Sequence, residues 1–388
     1  MSWPTDLPEA AHILRQLIDA PSPNPPGDCE EVCQVCLHLL EGSGARVRVV
    51  RADDGAPSVL ATLGSGPRRL LIHSHYDTQP AGDPARWESD PYVAALRDGR
   101  IYGRGAGDDK GSVAVQLAAL LALDRAGFNP PYEVLFAFVA DEESGGDRGT
   151  RMLHERGELR ADAALIGEQT DNQVAIGERG IVWLRVTFAG TAAHGAIPEA
   201  GVSALAPAAR LIERINRDLA ADLRGRRPTP LLPASSVNVG RCDAGVDVST
   251  VPSLAVVEID RRIVPGETPE GCAEEMQSLI DEALCAHPGT TAHLETFLSG
   301  SAFLTDAHAP AVLTLRQAIE KAGGVGTVTG YRQASDARFL ASDGIPLLVF
   351  GPADPEVGHA FNEHVPVSDL QVATDAIVHF ARDSATYL

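Results

Sequence analysis

The sequence is short of positive charge. Its 32 lysines and arginines face 53 aspartates and glutamates, for a formal net charge of -21. Nucleic acids and anionic membrane surfaces are gripped by clustered cations, so neither is expected as a partner. A local basic pocket for a small acid remains compatible with this balance. Cysteine is scarce as well: six in 388 residues do not make a disulfide scaffold. No run of 18 apolar residues occurs, which predicts no transmembrane helix. The opening stretch MSWPTDLPEAAH has no basic segment leading into an apolar one. That predicts no leader peptide and a reduced, cytoplasmic setting. Internal repeats and low-complexity tracts are absent too.

Cys29, Cys33 and Cys36 have a C-x3-C-x2-C spacing that can hold an iron–sulfur cluster. They also fall at i, i+4 and i+7 among Val32, Val35, Leu37, Leu39 and Leu40. The better reading is the buried stripe of a helix, where free cysteine acts as a small hydrophobe.

What is present is the composition of a globular protein, 44% hydrophobic and 22% charged. At about 150 residues per domain, the length predicts two or three domains. Strand-like runs (SVLATLG, RRLLIHS, YEVLFAFVAD, ADAALIGE) alternate with helical periodicity, as over Gly111 to Ala126. This order predicts an α/β domain on a mainly parallel sheet. From about residue 179 to 294 the texture changes to strand, helix, two strands, helix. The expectation is a catalytic domain built from residues 1–178 and 295–388, with a small α+β domain of ferredoxin-like type inserted at 179–294.

Polar groups collect where the apolar runs stop. RRLLIHS ends in His75 and Asp77, YEVLFAFVA in Asp141, Glu142 and Glu143, and ADAALIG in Glu168. Asp108 and Asp109 follow the glycines of YGRGAGDDKGS, and His359 lies in VGHAFNEH. Ligand sites in open α/β sheets lie at the carboxyl ends of strands. Carboxylates with neutral imidazoles suit a divalent cation; no cysteine is among them, which disfavours a structural zinc site, and H-E-x-x-H is absent. The acids are too many for one ion. Two adjacent ions need a bridging carboxylate and terminal ligands.

In order along the chain, HSHYD, GRGAGDDKGS, DEESGG, IGEQT, GTAAHGAIP, DRRIVPGE, SDARF and GHAFNEHV resemble the co-catalytic zinc amidohydrolases. That family includes acetylornithine deacetylase, succinyl-diaminopimelate desuccinylase, aminoacylase, carboxypeptidase G and the carnosine-type dipeptidases. The resemblance spans the whole chain. It implies a zinc-peptidase-like catalytic domain with an inserted dimerisation or lid domain, and two zinc ions per chain, with cobalt or manganese as alternatives. It implies that His75, Asp108, Glu143, Glu168 and His359 are the ligands, with Asp108 bridging across a peptide bond to Asp109 that is often cis. Glu142 would be the general base acting on a zinc-bound water, and Asp77 would orient His75. His194 would stabilise the oxyanion in a partner subunit's site, which requires a homodimer. Arg262 would bind a substrate carboxylate, helped by Asn238; Arg179 and Arg338 are weaker candidates. His73 does not match the pattern and reads as a satisfied core or rim histidine.

The implied activity is hydrolysis of the amide of a small N-acyl amino acid. DDKG leans instead toward dipeptidase- or carboxypeptidase-like members and GEQT toward deacetylases. A metallo-exopeptidase is therefore the alternative, and a non-catalytic binding relative a more remote one.

Overall fold

A computed structural model describes residues 3–388, which form two units. One runs to Gly177 and resumes over Thr305–Tyr331 and Ser335–Leu388; the other comprises Glu178–Leu304 and Arg332–Ala334. The second crossing lies later than residue 295, because Thr291–Gly300 is a strand paired with Gly180–Ala189.

The larger unit is built on a sheet that includes, in spatial order, Arg46–Arg51, Pro57–Gly64, Glu133–Val139, Arg69–His75, Ala163–Ile166, Leu347–Val349 and Val174–Glu178. The central neighbours Glu133–Val139, Arg69–His75, Ala163–Ile166 and Leu347–Val349 are mutually parallel. Antiparallel pairs flank them. Central strands covered on both faces read as unbroken apolar runs, and VLFAFV and LLI are such runs. The helix Lys110–Arg125 is buried nearly all round. It packs on Arg69–His75 and Glu133–Val139, and against the helices Glu9–Ile18 and Val367–Asp383. Each fully buried Leu, Ile or Phe there is worth about 1.5–3 kcal/mol. Cys33 and Cys36 are buried on the helix Glu30–Leu40, with Cys29 at its N-cap, in the stripe the periodicity predicts.

The smaller unit has four antiparallel strands in the order Ser236–Ala244, Leu254–Ile263, Gly180–Ala189, Thr291–Gly300. The helices Leu205–Arg214 and Pro269–Cys285 pack on this sheet. Strand, helix, strand, strand, helix, strand with this order is the ferredoxin-like arrangement. Alternation along Leu254–Ile263 sends Ala255, Val257 and Ile259 into a core shared with Leu211, Met276 and Ile280. No described helix is long and apolar enough to cross a membrane.

Candidate functional site

Three neighbouring parallel strands end within two residues of one another. His75 closes Arg69–His75 opposite Val139, and His73 lies opposite Ile166. The chain therefore leaves the two flanking strands beside His75 and delivers Glu142 and Glu143 on one side and Glu168 on the other. Asp108 and Asp109 immediately precede the helix Lys110–Arg125, and the peptide between them is cis. The turn that carries the glutamates is bounded by left-handed residues, Asp141 at φ 77° and Gly145 at φ 115°. Asp141 holds the turn by accepting from the Arg148 backbone N–H at 2.9 Å and from its guanidinium at 2.7 Å. Gly146, at φ 79°, has no room for a side chain: a Cβ would lie 2.6 Å from the Phe339 ring.

These elements bring together all five residues predicted as ligands. His75, Asp108 and Glu168 present donor atoms within 4.8 Å of one another, and so do Asp108, Glu143 and His359. Asp108 belongs to both groups through different oxygens. Its Oδ1 lies 3.2 Å from His75 Nε2 and its Oδ2 2.9 Å from His359 Nε2. His359 Nε2 is also 3.1 Å from Glu143, and His75 Nε2 is 3.9 Å from Glu168. On the other side of its ring, His75 Nδ1 lies 3.1 Å from the Asp77 carbonyl and 3.4 Å from its carboxylate. That contact leaves Nε2 as the nitrogen facing the acids. Asp77 is itself fixed by Asn24 and by the backbone N–H groups of Glu142 and Glu143.

Burial dominates the electrostatics. It pushes Glu143 up to about 7, helped by the charge of Asp108. It carries Asp109 and Glu168 well above the usual carboxylate range. For Asp108 burial acts the same way, but hydrogen bonds from His359 and His75 win and hold it low. The bonds to Asp108 and Glu143 raise His359 to about 10. For His75, burial opposes protonation, and Asp108 and Asp77 overcome it. Among the predicted ligands, three carboxylates are met by two imidazoles.

Several residues that fix this geometry escaped the sequence reading. Gln79 donates to Glu143 from its backbone at 2.9 Å and from its amide at 3.0 Å. Glu363, fully buried, accepts the backbone N–H of Asp108 at 2.9 Å and the guanidinium of Arg104 at 2.6 Å. Arg104 also donates to the His359 carbonyl, so one ion pair holds both ends of the second donor group. The Tyr331 hydroxyl lies 2.8 Å from Glu168. Gln79 and Glu363 sit inside the HSHYDTQ and GHAFNEHV segments, and position within a motif was the only signal available for them.

Of the remaining predicted residues, Arg338 lies in the larger unit and His194, Arg262, Asn238 and Arg179 in the smaller. His194 is exposed, and its Nδ1 accepts the Ala196 backbone N–H at 3.0 Å. A neutral ring that accepts at Nδ1 carries its proton on Nε2, which is then an outward donor. Arg262 pairs with Asp260 at 3.1 Å. Ser236 is opposite Arg262 and Asn238 opposite Asp260, so these four share one face of the strand pair. Arg179 reaches Ser236 at 3.3 Å. Its pKa is lowered by burial and by the charge of Arg262. Arg261 takes the opposite face, where it is buried against Glu267 and Glu275.

Residues 71–383 match peptidase family M20/M25/M40. A succinyl-diaminopimelate desuccinylase of Methylocella silvestris is 30% identical over 379 residues, 93% of this chain and 94% of that protein. An acetylornithine deacetylase of Myxococcus xanthus is 30% identical over 326 residues, 82% of this chain and 81% of its own. Among solved structures, an M20 family metallo-carboxypeptidase from Sulfolobus solfataricus has a TM-score of 0.77 at 19% identity, covering 97% of this chain and 99% of that one. With four-fifths of its length matched and its strand-end acids and imidazoles converging, the chain belongs to peptidase family M20/M25/M40.

Proposed function

We propose that this protein hydrolyses the amide bond of small N-acyl amino acids, in the manner of a desuccinylase or deacetylase, with two divalent cations per chain. One observation carries the reading: the two oxygens of Asp108 face two different histidine–carboxylate groups. The donor set fits the cations. It is all imidazole and carboxylate, three carboxylates with two imidazoles. His75, Asp108 and Glu168 would hold one ion, and Asp108, Glu143 and His359 the other; zinc suits these donors, and cobalt or manganese fits them too. When bound, such ions lower the pKa of a held water to about 7 and polarise a carbonyl oxygen.

The chain's own residues supply the rest. Glu142 takes the proton of the attacking water and passes it to the departing amine. Asp77 keeps the His75 ring oriented. The Nε2–H of His194 meets the oxyanion in a partner subunit's site, so a homodimer is part of the reading. Arg262 takes a substrate carboxylate, with Asn238 beside it and Arg179 as a second cation. The test is a panel of acetyl-, succinyl- and dipeptide substrates, with zinc restored to chelated protein. Cleavage of an N-acyl amino acid is the expected result. Cleavage of free dipeptides alone would move the assignment to an exopeptidase, and no cleavage of any member would remove it.

A pH effect follows for cation loading. Without a cation, His359 is raised to about 10 and keeps its proton at neutral pH, and Glu143 gains one as the pH falls through about 7. A cation must displace those protons. Loading is therefore expected to release protons, and affinity to weaken as the pH falls below about 10 and more steeply below about 7. Titration calorimetry in buffers of different ionisation enthalpy measures both, and a pH-independent affinity would contradict the ligand set.

A further inference from the structure

The geometry points to Arg338, backed by buried Asp336, as the positioning residue that fixes the carboxylate of Glu142. The inference rests on Glu142 acting as proton acceptor and says what holds it in place. Glu142 rides on a single 3-10 turn between two left-handed residues, and its side chain has three rotatable bonds. A turn of that kind does not by itself determine where the carboxylate points. Arg338 Nη1 donates to Glu142 Oε1 at 2.9 Å, and Nη2 donates to Asp336 Oδ1 at 3.2 Å. The guanidinium also reaches the Ser335 carbonyl and lies over the Phe339 ring. The bond to Glu142 engages Oε1 and not Oε2, so one oxygen is anchored while the other can receive a proton.

The anchor extends back to the central strand. Thr150 Oγ1 donates to Asp336 Oδ2. Having spent its one proton there, it accepts at 2.7 Å from His73 Nε2. His73, Thr150 and Asp336 are each no more than 1% exposed. This gives His73 its place: it is the inner end of a line, His73–Thr150–Asp336–Arg338–Glu142, that starts two residues from His75 on the same strand. The strand thus carries one candidate ligand directly and steadies the base through four further side chains. A general base must lie within about 2.6–3.2 Å of the proton it takes. A displacement of about 1 Å at such a site costs roughly 10²-fold in rate.

The experiment compares Arg338→Met, Arg338→Lys, Glu142→Gln and the double variant Glu142→Gln with Arg338→Met, all zinc-loaded, with zinc content measured for each. For Arg338→Met, kcat is expected to fall about 10²-fold with KM within about twofold and zinc content unchanged. Arg338→Lys should recover part of the loss. In the Glu142→Gln background, Arg338→Met should cost little more, because both changes act on one group. A rise in KM with kcat unchanged would make Arg338 a substrate contact and overturn the proposal. Equal losses with and without Glu142 would overturn it as well. If Arg338→Met does not fold, Arg338→Lys decides by the same kcat-against-KM split. Full activity of Glu142→Gln would instead defeat the functional reading beneath it, so the two failures are distinct.

Discussion

Glu142→Gln is expected to lower the hydrolytic rate by about 10²–10⁴-fold while zinc content stays at that of the unaltered protein. The amide keeps the size of the side chain and an oxygen that can accept from Arg338, whose bond to Glu142 is 2.9 Å. The backbone N–H of residue 142 still meets Asp77. What the amide cannot do is take a proton. The predicted loss therefore falls on kcat, and zinc analysis with circular dichroism should separate it from loss of metal or of fold. An unchanged rate would strip Glu142 of the role of base.

Asp108→Asn is expected to do the opposite: to abolish activity through loss of metal, taking zinc below one ion per chain. Asp108 is the one residue common to both donor groups. Asparagine removes the charge that both imidazoles face and turns an N–H donor toward at least one of them. The backbone should persist, because Glu363 binds the main-chain N–H groups of Gly107 and Asp108 rather than the side chain. Glu168→Gln and Glu143→Gln each touch one group only, so each should lose one ion more readily than the other. Zinc content per folded chain decides the matter. A variant Asp108→Asn that still binds two ions would end the bridging assignment.

Much of this site was legible from where apolar runs stop. A buried strand can expose side chains only at its ends, so His75, Glu142, Glu143 and Glu168 announced themselves as polar residues terminating LLIHS, VLFAFVA and ALIG. The pairing of His75 with Asp77 was implied by the motif resemblance. The way they touch was not: His75 closes its strand, and Asp77 answers from the loop with both its carbonyl and its carboxylate. His359 has φ +61° in a loop and belongs to no periodic element. The sequence placed it only as a histidine ahead of the last helix, and the motif resemblance gave it the role of ligand. Arg104, Glu363 and Arg338 act through partners 196 to 259 residues away. Contacts of that kind leave no spacing for a reader to find. The strands Ala95–Arg97, Arg100–Tyr102 and His364–Pro366 were missed because three residues are too few to show alternation. Thr291–Gly300 was missed because its polar and apolar residues mix, and the expected domain boundary moved with it.

The placement of the thiols gives the protein a chemical reporter of its own integrity. Cys242 and Cys285 are exposed, whereas Cys29, Cys33 and Cys36 lie in the larger unit's core and Cys272 in the smaller unit's. Burial raises Cys33 and Cys272 to about 11 and the other two further still, so none of the four offers a thiolate to an alkylating reagent at neutral pH. Iodoacetamide on the native chain meets two sulfurs; each later adduct marks an opening event, and its position in the sequence names the half that opened.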